Sequence, residues 1–291
     1  MSGGSADLAE RLVVMPPWAD GPSPRLDHAV VVVNRHVADR YWQLQVRSPE
    51  IARTARAGQF VMITVPGPGE TGPVLPRPMA IYSVDPAAGT LEVLYGVVGD
   101  GTRALSRRAA GGTITVVGPL GRGFELRAET RRLLLVGRGI GTCSLTTVAA
   151  DAVRAGVQVT ALDSARTAHA LVADAEYQRV GVQRRLQVVD SDGSSDPAAV
   201  RELLLEAYAD APPEQVFVCG SERLTRLSED LGAVWGADVQ VSLEAHMACG
   251  LGYCHGCATG ERTPTAESPL ICREGPVFRL AAGGDRAGSR D

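Results

Sequence analysis

The sequence predicts an N-terminal antiparallel β-barrel, then an α/β parallel-sheet domain, then a C-terminal cysteine-rich loop segment. Three observations carry that expectation. Up to about residue 126, short β-branched and aromatic runs recur every 10 to 20 residues with Gly or Pro between them. From Arg131 the runs become continuously apolar and alternate with helical stretches. Four of the six cysteines then follow residue 248.

In the bulk numbers, 291 residues accommodate roughly two domains. A composition of 45% hydrophobic and 21% charged residues is that of a globular chain. A net charge of −4 argues against a nucleic-acid surface. All 29 basic side chains are arginine, which reads as compositional bias rather than function. Residues 1–25 are polar with Pro and Gly, and are expected to be a disordered leader without the charged-then-apolar pattern of a signal peptide. No apolar run approaches the ~20 residues of a membrane span. The expectation is a cytoplasmic protein with reduced thiols, no membrane and no nucleic acid as partner.

Taken in order, strands are expected at 28–34, 41–47, 59–65, 78–84, 90–97 and 113–117. The apolar run at 133–136 is followed by Gly137-Arg138-Gly139-Ile140-Gly141 and a helix over 144–155. Further strands fall at 157–162, 186–189, 215–219 and 239–243, with helices over 197–208 and 221–235 between them. The tail from 281 is Gly-, Arg- and Asp-rich and is expected to be disordered.

The sharpest motif is Cys249-x4-Cys254-x2-Cys257-x14-Cys272. Its first spacings match the pattern of [2Fe–2S] ferredoxins of plant type. Four thiolates balance two ferric ions, and Gly250, Gly252 and Gly256 let loop amides approach sulfur without a Cβ between. Zinc is the alternative, but structural zinc sites usually pair one C-x2-C with another, and only one is present here. A Rieske arrangement would need two histidines; His246 and His255 read instead as neighbours of the cluster or surface residues.

Three further motifs, Arg77-Pro78-Met79-Ala80-Ile81, Gly99-Asp100-Gly101-Thr102 and Gly118-Pro119-Leu120-Gly121-Arg122-Gly123-Phe124, precede the cysteines in order. This series resembles the FAD-binding barrel of the ferredoxin–NADP reductase superfamily. The stretch from Leu243 to Cys257 narrows the resemblance to electron-transfer subunits of two-component, NAD-dependent dihydroorotate dehydrogenases. The resemblance covers roughly residues 28–280. It implies a division into a leader (1–25), an FAD-binding barrel (26–128), an NAD-binding α/β domain (129–236), a [2Fe–2S] segment (237–280) and a tail (281–291).

By that resemblance, Arg77, Pro78, Met79, Ala80 and Ile81 bind FAD, with the planar fork of Arg77 on the pyrophosphate. Gly99, Gly101 and Thr102 open a loop whose N–H groups reach the same phosphates. Ala80 departs from the family, which usually carries Ser or Thr there beside the flavin N5. Gly137, Gly139, Gly141 and Thr142 form the nicotinamide loop after a strand and before a helix. Arg138 and Cys143 are atypical in it, as is Ser144 where Pro is common.

Cys219 and Gly220 end a strand near the expected nicotinamide ring, although a buried thiol there is also ordinary packing. Cys143 reads as packing. Asp163 is a candidate acceptor for a ribose diol, favouring NAD, and Arg166 a candidate partner for a 2′-phosphate.

The implied activity carries electrons between NAD(H), FAD and the cluster and an FMN-containing dihydroorotate-dehydrogenase-like catalytic subunit, in a heterotetramer. Relatives with the same cofactors serve ferredoxin–NADP transhydrogenases, sulfhydrogenases, oxygenases or biosynthetic enzymes. A zinc-stabilised scaffold without redox function is the alternative of another class.

Overall fold

The computed structural model describes residues 8–9, 11–16, 23–66, 69–260 and 268–281. It contains two seven-stranded sheets. The first is a curled antiparallel half-barrel built from β2 (Arg25–Ala38), β3 (Tyr41–Arg47), β4 (Phe60–Thr64), β5 (Arg77–Ala80), β6 (Ser83–Asp85), β7 (Thr90–Gly96) and β8 (Thr113–Leu120), in the order β5-β4-β8-β2-β3-β7-β6. Its alternating inward residues, among them Val31, Leu44, Ile63, Leu91 and Val116, are almost wholly buried.

The single strand expected over 78–84 is two strands, because the chain changes edges between them. The Ile81 N–H donates to Gln59 O, while the next N–H, of Tyr82, donates to Glu92 O at the opposite edge of the sheet. Two consecutive residues thereby tie the barrel's ends together. Short helices α1 (Pro49–Thr54) and α2 (Asp100–Ser106) were not expected from the pattern, being too short to show helical periodicity.

The second sheet contains β9 (Arg132–Arg138), β10 (Gln158–Ala165), β11 (Arg184–Val189), β12 (Gln215–Cys219) and β13 (Asp238–Ser242), all mutually parallel. Helices α3 (Cys143–Arg154), α4 (Asp174–Val180), α5 (Pro197–Ala207) and α6 (Glu222–Trp235) connect them. Alternation explains the continuously apolar strands: Leu134, Val136, Val216 and Val218 pack under α5 and α6, while Leu133, Leu135 and Phe217 pack under α3 and α4.

The order β13-β12-β9-β10-β11 means that the chain leaves β9 in one direction and returns through β12 on its other side. The carboxyl ends of β9 and β12 form the topological switch point, where sheets of this kind bind ligands.

Strand β14 (Val277–Leu280) runs antiparallel to β13, and β1 (Leu12–Val13) pairs with β14. The cysteine loop is therefore an excursion between two strands of the second sheet. The expectation of a disordered leader is corrected over residues 11–16. An uncovered β14 would expose a row of backbone donors and acceptors; β1 pairs that edge, Met15 is buried, and Ala281 N–H donates to Arg11 O. The remainder of the leader, residues 1–7, 10 and 17–22, and the tail from 282 lie outside the described residues. Among the described residues no helix is long and apolar enough to cross a membrane.

Candidate functional site

A cavity of about 540 Å³ lies between the barrel and the carboxyl edge of the parallel sheet. Arg77, Pro78, Met79, Ala80 and Thr102 line it from the barrel, and Gly141 and Cys219 line it from the sheet. Ile81 is not in it; its side chain turns into the barrel core. Gly99 and Gly101 shape the turn beside it without lining it.

The Arg77 guanidinium donates to Leu75 O and lies directly over Gly101, where a Cβ would push it aside. Thr102 Oγ1 accepts from the N–H groups of Val98 and Gly99, closing the first turn of α2. The N–H groups of Asp100, Gly101 and Thr102 have no acceptor within the helix, as at any helix start. A permanent cation and the amide-bearing start of α2 thus lie together at the edge of the cavity, an arrangement that fits a pyrophosphate.

Sequence reading missed what holds α2 there. Asn34 Nδ2 donates to Leu105 O at 2.7 Å and Arg108 O at 2.9 Å, and Asn34 Oδ1 accepts from the Tyr95 hydroxyl at 2.8 Å. Replacing Asn34 with Ala is expected to cost about 1–3 kcal/mol by orphaning these groups. Comparing denaturation midpoints checks it.

On the sheet side, Gly137 and Gly139 bracket the end of β9, and a 3-10 turn, Gly139–Thr142, leads into α3. A Cβ on Gly141 would lie 2.9 Å from Cys219 O, so glycine lets the turn close onto β12. Ser144 stands where proline was expected, and its hydroxyl donates to Gly141 O, securing the same turn. Gly220 follows Cys219 and packs on Arg138.

Cys219 is buried and its thiol is pushed up to about 12 by burial and then by nearby Glu244. It is a neutral thiol at neutral pH, a wall rather than a nucleophile. Cys143 is buried too, its thiol raised by burial, which agrees with packing.

Glu244 was missed. It lines the cavity, and burial raises its carboxyl above the ordinary value. A carboxylate two residues past β13, beside the switch point, was the available signal.

Asp163 does not line the cavity. It is 3% exposed under the turn, where Thr142 Oγ1 donates to its Oδ1 at 3.0 Å and Oδ2 has no partner. Burial raises its carboxyl to about 7, against the lowering effect of the Thr142 hydrogen bond. The folded state keeps this proton up to that value, while the unfolded chain releases it near pH 4. Its contribution to stability is therefore fully present below about pH 4 and falls as pH rises toward 7, by up to ~1.4 kcal/mol per unit. Asp163→Asn should flatten the stability profile across that window relative to the unmodified chain, as denaturation at several pH values will show. Arg166 is exposed beyond β10, outside the cavity.

The cysteines come together. Cys249 meets Cys254, and Cys257 meets Cys272, as two thiol pairs. Amides point at the sulfurs: Leu251 N–H donates to Cys249 at 3.4 Å, Gly252 N–H to Cys272 at 3.1 Å and Cys272 N–H to Cys257 at 3.4 Å. Although burial opposes ionisation of Cys249, the amides of Leu251 and Cys254 bring it down to about 7.

Among the described residues no three His, Cys, Asp or Glu side chains converge as on a single metal ion. Two pairs of amide-solvated thiols fit a two-iron cluster, for which these four cysteines would supply the ligands. Gly250, at φ +70°, sits against Met62 with no room for a Cβ, docking the loop on the barrel. His246 lines the cavity, whereas His255 is exposed.

Comparison with known proteins places this geometry. Residues 244–282 match the family described as the iron–sulfur cluster binding domain of dihydroorotate dehydrogenase B. The chain is 31% identical over 245 residues to the dihydroorotate dehydrogenase B (NAD(+)) electron transfer subunit of Desulforamulus reducens, covering 83% of this chain and 92% of that one. It is 31% identical over 258 residues to the same-named subunit of Bacillus caldolyticus, covering 87% and 96%. Among solved structures it is similar to an NADH-dependent reduced ferredoxin–NADP oxidoreductase, with a TM-score of 0.72 and 27% identity over 87% of this chain and 88% of the other.

Proposed function

The chain belongs to the family of dihydroorotate dehydrogenase B electron transfer subunits, and on that premise we propose that it relays electrons between NAD(H), FAD and a [2Fe–2S] cluster for an FMN-containing dihydroorotate-dehydrogenase-like catalytic subunit. The observation that carries this reading is the continuity of the two sites. Met247 lines the cavity and Cys249 opens the cysteine loop. Two residues of extended chain span at most about 7 Å, so the first cluster ligand lies next to the cavity wall.

FAD in the cavity supplies a hydride acceptor that can release electrons singly, and the cluster supplies a one-electron carrier. The residues of this chain do the rest. Arg77 and the first turn of α2 hold the pyrophosphate; the turn at 139–142 and the closed contact of Gly141 with Cys219 leave a flat wall for a nicotinamide ring. Burial of Phe60, Met79 and Leu94 keeps water from the reacting faces. Ala80 lines the cavity with only a methyl group where a hydroxyl is usual.

Leu251 and Tyr253, 56% and 90% exposed, project from the cysteine loop and supply the apolar contact a partner subunit needs. In the complex, net flow runs from dihydroorotate to NAD, and two catalytic with two electron-transfer chains make the heterotetramer. None of the cavity's residues resembles a site for orotate, so the chain alone does not oxidise dihydroorotate. Mixing it with the catalytic subunit of its source organism tests this: NAD reduction by dihydroorotate that needs both chains supports the proposal, and turnover by either chain alone refutes it.

A second reading keeps the cofactors and changes the partner. The resemblance to the ferredoxin–NADP oxidoreductase over nearly the whole of both chains favours it. Ferredoxin reduction without any response to the catalytic subunit would decide for it.

A further inference from the structure

At the carboxyl edge of the parallel sheet, away from the cavity, four elements bring charged and polar groups to one place. Arg138 ends β9, and its guanidinium donates to Ser164 Oγ of β10 at 2.8 Å and to Asp190 Oδ2 at 2.6 Å. Asp190 begins the 3-10 turn that follows β11. Its other oxygen, Oδ1, accepts from Arg223 of α6 at 2.7 Å and from Ser195 Oγ. Arg223 also donates to Ser195 Oγ at 3.1 Å. The side chains of Arg138, Asp190 and Arg223 are 18%, 38% and 39% exposed, so the cluster faces solvent at its rim.

The position is informative. The glycine turn sits at the switch point, and Gly141 and Cys219 direct the nicotinamide half of a dinucleotide toward the cavity. The other half must run along the carboxyl edge the opposite way, over β10 and β11. That path crosses Asp190, Arg138 and the exposed Arg166. Asp163, the acidic residue that the sequence offered for this role, is buried beneath the turn.

We infer that Asp190, held between Arg138 and Arg223, sets the choice between NADH and NADPH by occupying the two guanidiniums that would otherwise take a 2′-phosphate. This rests on the reading of the chain as an NADH-linked flavoprotein. With Asp190 present, its carboxylate repels a 2′-phosphate and offers acceptors to a ribose diol. Without it, two fixed, permanently charged forks and Ser164 face the 2′ position with no competing anion.

The test uses the full chain with its cofactors bound. Flavin bleaching by NADH and by NADPH is timed, and binding of 2′,5′-ADP is titrated separately. Asp190→Asn is expected to raise the NADPH-to-NADH ratio of kcat/KM by roughly 30-fold, mostly through KM for NADPH, the scale of one or two new charge-assisted hydrogen bonds. It should also tighten 2′,5′-ADP binding comparably, a gain that Arg138→Leu in the same background abolishes.

Asp192→Asn, in the same turn and hydrogen-bonded to the Ser194 N–H, should do neither. A ratio within about twofold of the unmodified chain, or an equal shift from Asp192→Asn, overturns the inference. If neither dinucleotide bleaches the flavin, the NADH reading fails, and 2′,5′-ADP binding still decides the role of Asp190: tighter binding supports it, unchanged binding overturns it.

Discussion

Cys254→Ser is expected to give a yellow, folded protein that NADH still bleaches and that no longer passes electrons to its partner. Cys254 is the exposed member of the four cysteines, so its replacement disturbs no core, whereas Cys257 and Cys272 are buried in the cluster of apolar residues that joins loop, barrel and sheet. The serine leaves Cys249 without the thiol it meets and leaves one iron a thiolate short.

Delivery to the catalytic subunit should fall by roughly 100-fold or more, since even groups that only support a metal's ligands change affinity or activity 10- to 100-fold. Bleaching by NADH should change little, because the cavity and the glycine turn do not contain Cys254. Iron analysis and separate assays of flavin reduction and partner reduction check both halves. A variant that keeps its iron and its delivery would remove Cys254 from the ligand set.

Arg77→Ala is expected to strip the flavin. Arg77 lays a permanent cation against Gly101 in the first turn of α2, on the side that lines the cavity. Losing two charge-assisted hydrogen bonds to a pyrophosphate costs about 3–4 kcal/mol, which weakens FAD binding roughly 10²- to 10³-fold. Arg77→Lys should recover only part of it, because an ammonium has charge without the fork. Fluorescence titration of the flavin-free protein gives both constants. FAD content unchanged in Arg77→Ala would place the pyrophosphate elsewhere.

Much of this was legible in the residues. The change from spaced β-rich runs to continuous apolar runs at Arg131 reports a real change from a half-barrel open to water on one face to a sheet covered on both. The cysteine spacing carried the cluster loop, because loop length between ligands is fixed by sequence alone.

What was not legible depended on three-dimensional closure. The strand over 78–84 breaks because Ile81 and Tyr82 bond to opposite edges, and no local pattern records that. Leu12–Val13 looked like part of a polar leader, since two residues that only pair an edge leave no periodic trace. Asp163 ended an apolar strand as a ribose acceptor should, yet the turn folds over it and buries it. Glu244 follows β13 with no motif of its own, and only the adjacency of β13 to β12 brings it to the cavity. Asn34 acts through the far end of a short helix that the sequence did not reveal.

In the proposed relay, one chain joins a hydride acceptor to a one-electron carrier. The measurement closest to it is an oxygen-free titration of the purified chain with NADH, following flavin and cluster absorbance separately alongside analysis of flavin, iron, sulfide and zinc. The relay predicts about one FAD, two iron and two sulfide per chain, with both chromophores reduced by NADH alone. Zinc in place of iron, or a flavin that bleaches while an intact cluster beside it stays oxidised, would contradict it.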